Sequence, residues 1–188
     1  MSKLAFIFPG QGAQKAGMGK DFYENSEAAR SFFDQAQKIL DFDLKEMCFG
    51  EHEELNLTEY TQPCMVSVCL AIVQELKKRG INPDITAGLS LGEYAAVAAA
   101  GGMNELDAIK LVRRRGILMQ STVPTGEGAM AAVLGLDAKK IEEILESFEN
   151  VWIANYNCPG QIVITGLTNE VQQASLALKE AGAKRVVE

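Results

Sequence analysis

This 188-residue sequence has one histidine, one tryptophan, five prolines and four cysteines. The lone His52 sits in Gly50-Glu-His-Glu-Glu54. A zinc-type site needs two or more further ligands at workable spacing, so no metal is expected. Cys48, Cys64, Cys69 and Cys158 form no CxxC pair and are too sparse for a disulfide framework. They read as reduced thiols of a cytoplasmic protein. Positive charge is also short: 18 Lys and Arg face 25 Asp and Glu, a net charge of −7. That balance argues against nucleic acid as the main partner. No apolar run approaches the ~20 residues that span a bilayer, so no membrane partner is expected. Met1–Pro9 carries too short an apolar stretch for a signal peptide and reads as a first strand. Neither an internal repeat nor a low-complexity segment is present.

What is present is the composition of a globular protein, 47% hydrophobic and 23% charged. Leu4–Phe8, a continuous apolar run stopped by Pro9-Gly10, predicts a strand buried on both faces. A helix follows Asn25-Ser26 and carries Ala29, Phe32, Phe33, Ala36, Ile39 and Leu40. Residues 43–60 are polar and read as irregular. Thr61-Gln-Pro63 opens a long helix that Lys77-Lys-Arg-Gly80 closes. A strand at Ile85–Leu89 runs into a helix from Leu91, stopped by Gly101-Gly102. Asn104 caps the next helix, to about Gln120.

After Pro124 the rhythm changes. Strands at Ala129–Leu134, Val151–Tyr156, Gln161–Thr165 and Lys184–Val187 alternate with helices capped by Asp137 and Thr168. This βαββαβ order is that of the ferredoxin-like fold. The Pro, Thr and Gly of Thr122–Gly128 mark a boundary, giving domains at 1–123 and 124–188. The fold class is α/β.

Chemistry concentrates at Gly88-x-Ser90-x-Gly92, between a predicted strand and a predicted helix. This is the setting of a nucleophile elbow, where the serine occupies a tight strand-to-helix turn. Its hydroxyl and the amide of Leu91 then lie at a helix N-terminus, favourable for developing negative charge. Phe8-Pro-Gly-Gln-Gly-Ala-Gln14 is a Gly-rich loop leaving a strand, and the Gln11 amide is a second candidate oxyanion donor. Arg115 is flanked by Leu111, Val112, Leu118 and Met119 at helical spacing, so it shares an apolar face. There it needs either an internal acid or an anionic ligand, and its fork suits a carboxylate. His52 lies in an acidic stretch and precedes the serine, whereas an elbow fold draws its base from a later segment. Asn155-Tyr-Asn-Cys-Pro-Gly-Gln161 reads alone as a hairpin loop.

Six motifs in register are similar to those of the malonyl-CoA:acyl carrier protein transacylases and the acyltransferase domains of fatty acid and polyketide synthases. They are Phe8-Pro-Gly-Gln-Gly-x-Gln14, Thr61-Gln-Pro63, Gly88-x-Ser-Leu-Gly-Glu93, Arg115-Gly116 with Met119-Gln120, Gly128-Ala-Met-Ala131 and Asn155-x-Asn-x-Pro-Gly-Gln161. The resemblance implies part of an α/β-hydrolase-like large subdomain with an inserted ferredoxin-like small subdomain. It implies a Ser90 acyl-enzyme that takes malonyl from malonyl-CoA and passes it to the phosphopantetheine thiol of acyl carrier protein, without a cofactor. The amides of Gln11 and Leu91 would form the oxyanion hole. Arg115 would clamp the malonyl carboxylate. Gln62 and Met119 would line the pocket, with Asn157 and then Asn155 near a cleft.

Two departures stand out. Leu89 occupies a place where many family members have histidine. The family's catalytic histidine lies beyond the ferredoxin-like insertion, and no such residue occurs here. The resemblance therefore implies an N-terminal part of the family's chain, of low activity alone. Its unfinished sheet would be covered by a further segment or a second chain. Met1 favours a free-standing enzyme over a synthase domain. Two alternatives use the same residues: a serine esterase or thioesterase, and a non-catalytic fragment that binds a carrier protein.

Overall fold

A computed structural model of the chain describes residues 3–123 and 126–187. Two compact units are present, Met1–Thr122 and Val123–Glu188. The boundary expected after residue 123 involves Pro124, which with Thr125 lies outside the described residues.

The first unit contains β1 (Ala5–Phe8), α1 (Lys20–Asn25), α2 (Glu27–Gln37), α3 (Leu44–Phe49), a 3-10 turn (Glu53–Asn56), α4 (Thr58–Lys78), β2 (Ile85–Gly88), α5 (Leu91–Ala99) and α6 (Glu105–Thr122). β1 and β2 pair in parallel, Ala5 opposite Ile85 through Phe8 opposite Gly88. The core lies among α2, α4, α5 and α6 and includes Phe33, Leu70, Val73, Leu91, Ile109 and Val112.

The central helix, α4, departs from the expected start. It begins at Thr58 rather than Thr61, which leaves Pro63 inside it. Its cap comes from α6: the Thr58 N–H donates to Gln120 Oε1 at 3.0 Å. Proline has no N–H to bond back to the Glu59 carbonyl. Arg113 replaces that donor, with Nη1 2.8 Å from the Glu59 carbonyl oxygen. The two helices also touch closely, since a Cβ on Gly116 would sit 2.8 Å from both Glu59 Cα and the Thr58 oxygen.

Three further expectations are corrected. Residues 43–60 are ordered by α3 and the 3-10 turn, with Asp43 accepting from the Glu46 N–H at 3.0 Å as the α3 cap. The helix after Ser26 ends at Gln37, so Ile39 and Leu40 pack from beyond its end. β1 is not buried on both faces: Phe8 is inside, but Ile7 is 79% exposed. Among the described residues β1 pairs only with β2, so each keeps a free edge. Beside β1 lies an apolar cavity of about 420 Å³, lined by Phe6, Ile7 and the Met65, Cys69, Ile72 and Leu76 side of α4.

The second unit contains β3 (Gly128–Leu134), α7 (Ala138–Leu145), β4 (Val151–Cys158), β5 (Gln161–Leu167), α8 (Thr168–Glu180) and β6 (Arg185–Val187). The strands form one antiparallel sheet in the order β4-β5-β3-β6, the ferredoxin-like arrangement. Alternate residues Ala131, Val133, Ile162 and Ile164 pack with Ile141, Val171 and Leu178 of the helices. Trp152 and Met130, opposite Thr165 on the same row, are exposed on the other face. Thr168 is not the α8 cap; Leu167 holds that place, and the Thr168 hydroxyl donates to the Gly126 carbonyl at 2.8 Å.

Among the described residues no helix is long and apolar enough to cross a membrane. All four cysteines are free, and burial pushes the Cys69 thiol up to about 11.

Two outcomes are expected. Ile7→Lys at the free β1 edge should reduce self-association of the 188-residue chain in light scattering, with a stability change under about 0.5 kcal/mol. Unchanged association would show that this edge is not the contact. Hydrogen bonds from Arg113 hold the Asp41 carboxyl below its ordinary value. That stabilisation is present above the ordinary carboxylate range and is lost as pH falls through the lowered value. Asp41→Asn should therefore lower the melting temperature at neutral pH and narrow the gap to wild type in strong acid.

Candidate active site

The turn between β2 and α5 is set by backbone contact. A Cβ on Gly88 would lie 2.1 Å from the Gly92 backbone, and a Cβ on Gly92 would lie 2.4 Å from the Phe8 oxygen. Only glycine permits that approach at either position. Between them Ser90 adopts φ 49 and ψ −100, the only positive φ outside glycine among the described residues. Such a conformation costs on the order of 1–3 kcal/mol and clusters at functional sites.

Ser90 is exposed and precedes the first residue of α5. The Gly92 and Glu93 amides bond back to Leu89 and Ser90 at 2.9 and 3.2 Å. The Leu91 N–H keeps no partner among the described residues, and neither does the Gln11 N–H. The Gln11 loop closes on the turn, because a Cβ on Gly10 would be 3.0 Å from the Leu89 oxygen.

α6 supplies the facing groups. Arg115 Nη2 donates to Ser90 Oγ at 3.3 Å, and its guanidinium carbon lies 5.6 Å from the Tyr94 ring centroid. Among the described residues it has no acid partner. The apolar face expected around it is mostly exposed: Leu111, Leu118 and Met119 reach solvent, and only Val112 is in the core. Arg115 is thus a half-buried cation at the rim of the site, where its charge costs less than in a core.

One turn along the same face, Met119 Sδ accepts from Gln62 Nε2 at 3.3 Å. The same amide reaches Gln11 Oε1 at 3.5 Å, and Gln11 Nε2 donates to the Thr58 hydroxyl at 3.0 Å. Gln62 is 0% exposed, yet its Oε1 has no hydrogen-bond partner among the described residues. An unmade bond of this kind costs about 1–3 kcal/mol.

The structure therefore gathers Ser90 with Arg115, and Gln62 with Gln11 and Met119. Asn157 and Asn155 belong to the second unit, on the irregular part of β4. His52 pairs with Glu46 Oε1 at 3.0 Å, and among the described residues no hydrogen bond joins it to Ser90. No cluster of potential metal ligands occurs among the described residues. Sequence reasoning missed Tyr94, although its place one helical turn after Ser90 was the available signal. It also missed Thr58 and the capping role of Gln120, which local sequence does not announce.

The family model described as the acyl transferase domain matches residues 5–188. This chain belongs to that family. It is 48% identical over 192 aligned residues to the malonyl CoA-acyl carrier protein transacylase of Bacillus subtilis strain 168, covering all of this chain and 61% of that protein. A crystal structure of the malonyl CoA-acyl carrier protein transacylase from Clostridium perfringens is 43% identical with a TM-score of 0.89, over 99% of this chain and 60% of that one. A structure of a malonyl-transacylase in complex with its type II PKS acyl-carrier protein gives 40% identity and a TM-score of 0.91, over 99% and 62%. The chain thus spans about 61% of the length of the curated relatives it resembles.

Backbone strain at Ser90 is open to measurement. Ser90→Gly should raise stability by about 1 kcal/mol in denaturant unfolding, because glycine takes positive φ freely. Ser90→Ala should not. Equal stability in both would show that the turn is unstrained.

Proposed function

We propose that this chain carries the nucleophile, oxyanion donors and carboxylate clamp of a malonyl-CoA:acyl carrier protein transacylase that works in the cytoplasm in fatty acid biosynthesis. The observation that carries the reading is the 3.3 Å contact between Arg115 Nη2 and Ser90 Oγ. A guanidinium this close to a nucleophile suits an acyl group whose carboxylate lies one methylene from the reacting carbonyl, which describes malonyl. A longer dicarboxylate would have to fold back.

In this mechanism Ser90 Oγ attacks the thioester carbonyl of malonyl-CoA as a base removes its proton. The Leu91 and Gln11 amides take the developing oxyanion. The carbon–sulfur bond breaks, the CoA sulfur leaves as a thiol by regaining the proton, and malonyl remains as an ester on Ser90. The phosphopantetheine thiol of acyl carrier protein then attacks that ester and restores the serine. Arg115 holds the malonyl carboxylate through both steps, with Gln62 and Met119 lining the pocket beneath it. The family resemblance makes Asn157 a further substrate-binding residue of this reading. The base is assigned to a residue beyond these 188, since among the described residues no hydrogen bond joins the one histidine to Ser90. The solved complex of a relative with its carrier protein supports acyl carrier protein as the partner. The free β1 and β2 edges suit a further strand, from the same protein or a second chain.

Intact-mass labelling with malonyl-CoA tests the reading. The natural protein should gain a hydroxylamine-sensitive malonyl group that Ser90→Ala abolishes, whereas the 188-residue chain alone should label slowly. Arg115→Ala should cut malonyl labelling at least 100-fold while shifting preference toward acetyl-CoA, as expected when a bidentate charged contact is lost. Fast labelling of the isolated chain would contradict an external base. Unchanged acyl preference in Arg115→Ala would favour a simple esterase.

A further inference from the structure

Arg113 and Arg115 leave the same stretch of α6 and are held in opposite ways. Arg113 is neutralised: Nε and Nη2 each lie 2.9 Å from Asp41 carboxylate oxygens, and Nη1 lies 3.1 Å from Glu59 Oε2. Arg115 has no such acid among the described residues. What holds it is the face of Tyr94, 5.6 Å from its guanidinium carbon. An aromatic face attracts a guanidinium without offering it a counter-charge, so its charge and its in-plane N–H donors stay available. A carboxylate in the same place would anchor the arginine equally well but would compete with an anionic acyl group for it.

The ring is well placed for this task. Tyr94 packs against the core of the first unit, which fixes its plane. It also follows Ser90 by one turn of α5, so ring and nucleophile are carried by one rigid element. The distance between guanidinium and Ser90 Oγ is therefore set through the helix rather than by the four-bond flexibility of the arginine stem.

We propose that Tyr94 is a positioning residue that sets selectivity for acyl groups ending in a carboxylate, by holding Arg115 beside Ser90 with its charge uncompensated. The inference rests on the acyl-transfer reading of Ser90 and acts through Arg115.

The test uses the natural protein, with Tyr94→Phe, Tyr94→Leu and Tyr94→Met; the methionine variant keeps more packed volume should the leucine variant unfold. Ser90 acylation by malonyl-CoA and acetyl-CoA is followed by intact mass, and the Arg115 side-chain protons by NMR. Wild type and Tyr94→Phe should show the Arg115 δ and ε protons shifted upfield by the ring, and the ringless variants should lose that shift. The malonyl-over-acetyl ratio should fall about tenfold without the ring, mostly through KM, and should be rescued in Tyr94→Phe. The proposal is overturned by an absent ring shift in wild type, by ringless variants that keep the ratio, or by Tyr94→Phe failing as they do. A wild-type protein that shows the ring shift but never acylates Ser90 would overturn the acyl-transfer reading, and the selectivity role with it, while leaving the placement of Arg115 by Tyr94 intact.

Discussion

A single Cβ at residue 92 would sit 2.4 Å from the Phe8 carbonyl oxygen, and one at residue 88 would sit 2.1 Å from the Gly92 backbone. The start of α5 is thus pressed against the ends of both strands with no side chain between them. The chain has two residues, Leu89 and Ser90, in which to pass from strand to helix, and Ser90 takes the positive φ that results. Its hydroxyl projects outward, the free Leu91 amide lies beside it, and the loop after β1 closes over Leu89. The strain is offset by what the close approach makes possible. Leu91, Ala95, Ala96 and Ala98 all pack into the core, and small side chains let the whole helix settle onto its neighbours.

The contact between α4 and α6 solves several problems at once. Gly116 lets the two backbones meet, and this brings Arg113 to the carbonyl that Pro63 leaves unpaired and Gln120 to the uncapped N-terminus of α4. The same crossing sets Met119 against Gln62 and leaves Arg115 facing Ser90. One helix therefore supplies structural repair on one side and site chemistry on the other. Among the described residues, neutralising Arg113 while leaving Arg115 without an acid is the electrical expression of that division.

The legible parts of the sequence were those governed by local rules. The elbow turn could be read from glycine spacing, the Asn104 cap from its side chain, which accepts from the Leu106 and Asp107 amides, and the ferredoxin-like order from period-two strands. Much of what failed depended on distant partners, although the α3 cap of Asp43 on the Glu46 N–H was a local signal left unread. The start of α4 was misplaced because its cap comes from Gln120, 62 residues away. Two-sided burial of β1 was inferred from an apolar run that in a two-stranded sheet leaves Ile7 in solvent. Within the site, Ser90, Arg115, Gln62, Gln11 and Met119 were named from motif, whereas the pairing of Gln62 with Met119 and the ring beneath Arg115 required the packing of α4, α5 and α6.

Three departures from local rules fall in the first unit. Among the described residues, a serine holds positive φ, a buried glutamine keeps an oxygen without a donor, and an arginine lacks an acid partner. Each departure costs free energy, and each has a simple apolar or glycine remedy of similar size. A leucine or methionine in place of Gln62 would remove the orphaned oxygen, and glycine in place of Ser90 would remove the strain. These three residues lie on or beside α4, α5 and α6, although Ser67, Gln74 and Ser175 also keep buried polar atoms without partners among the described residues. Among the described residues, an arginine without an acid partner and a free Leu91 amide beside an exposed hydroxyl suit a ligand that has a carboxylate and a carbonyl able to become an oxyanion.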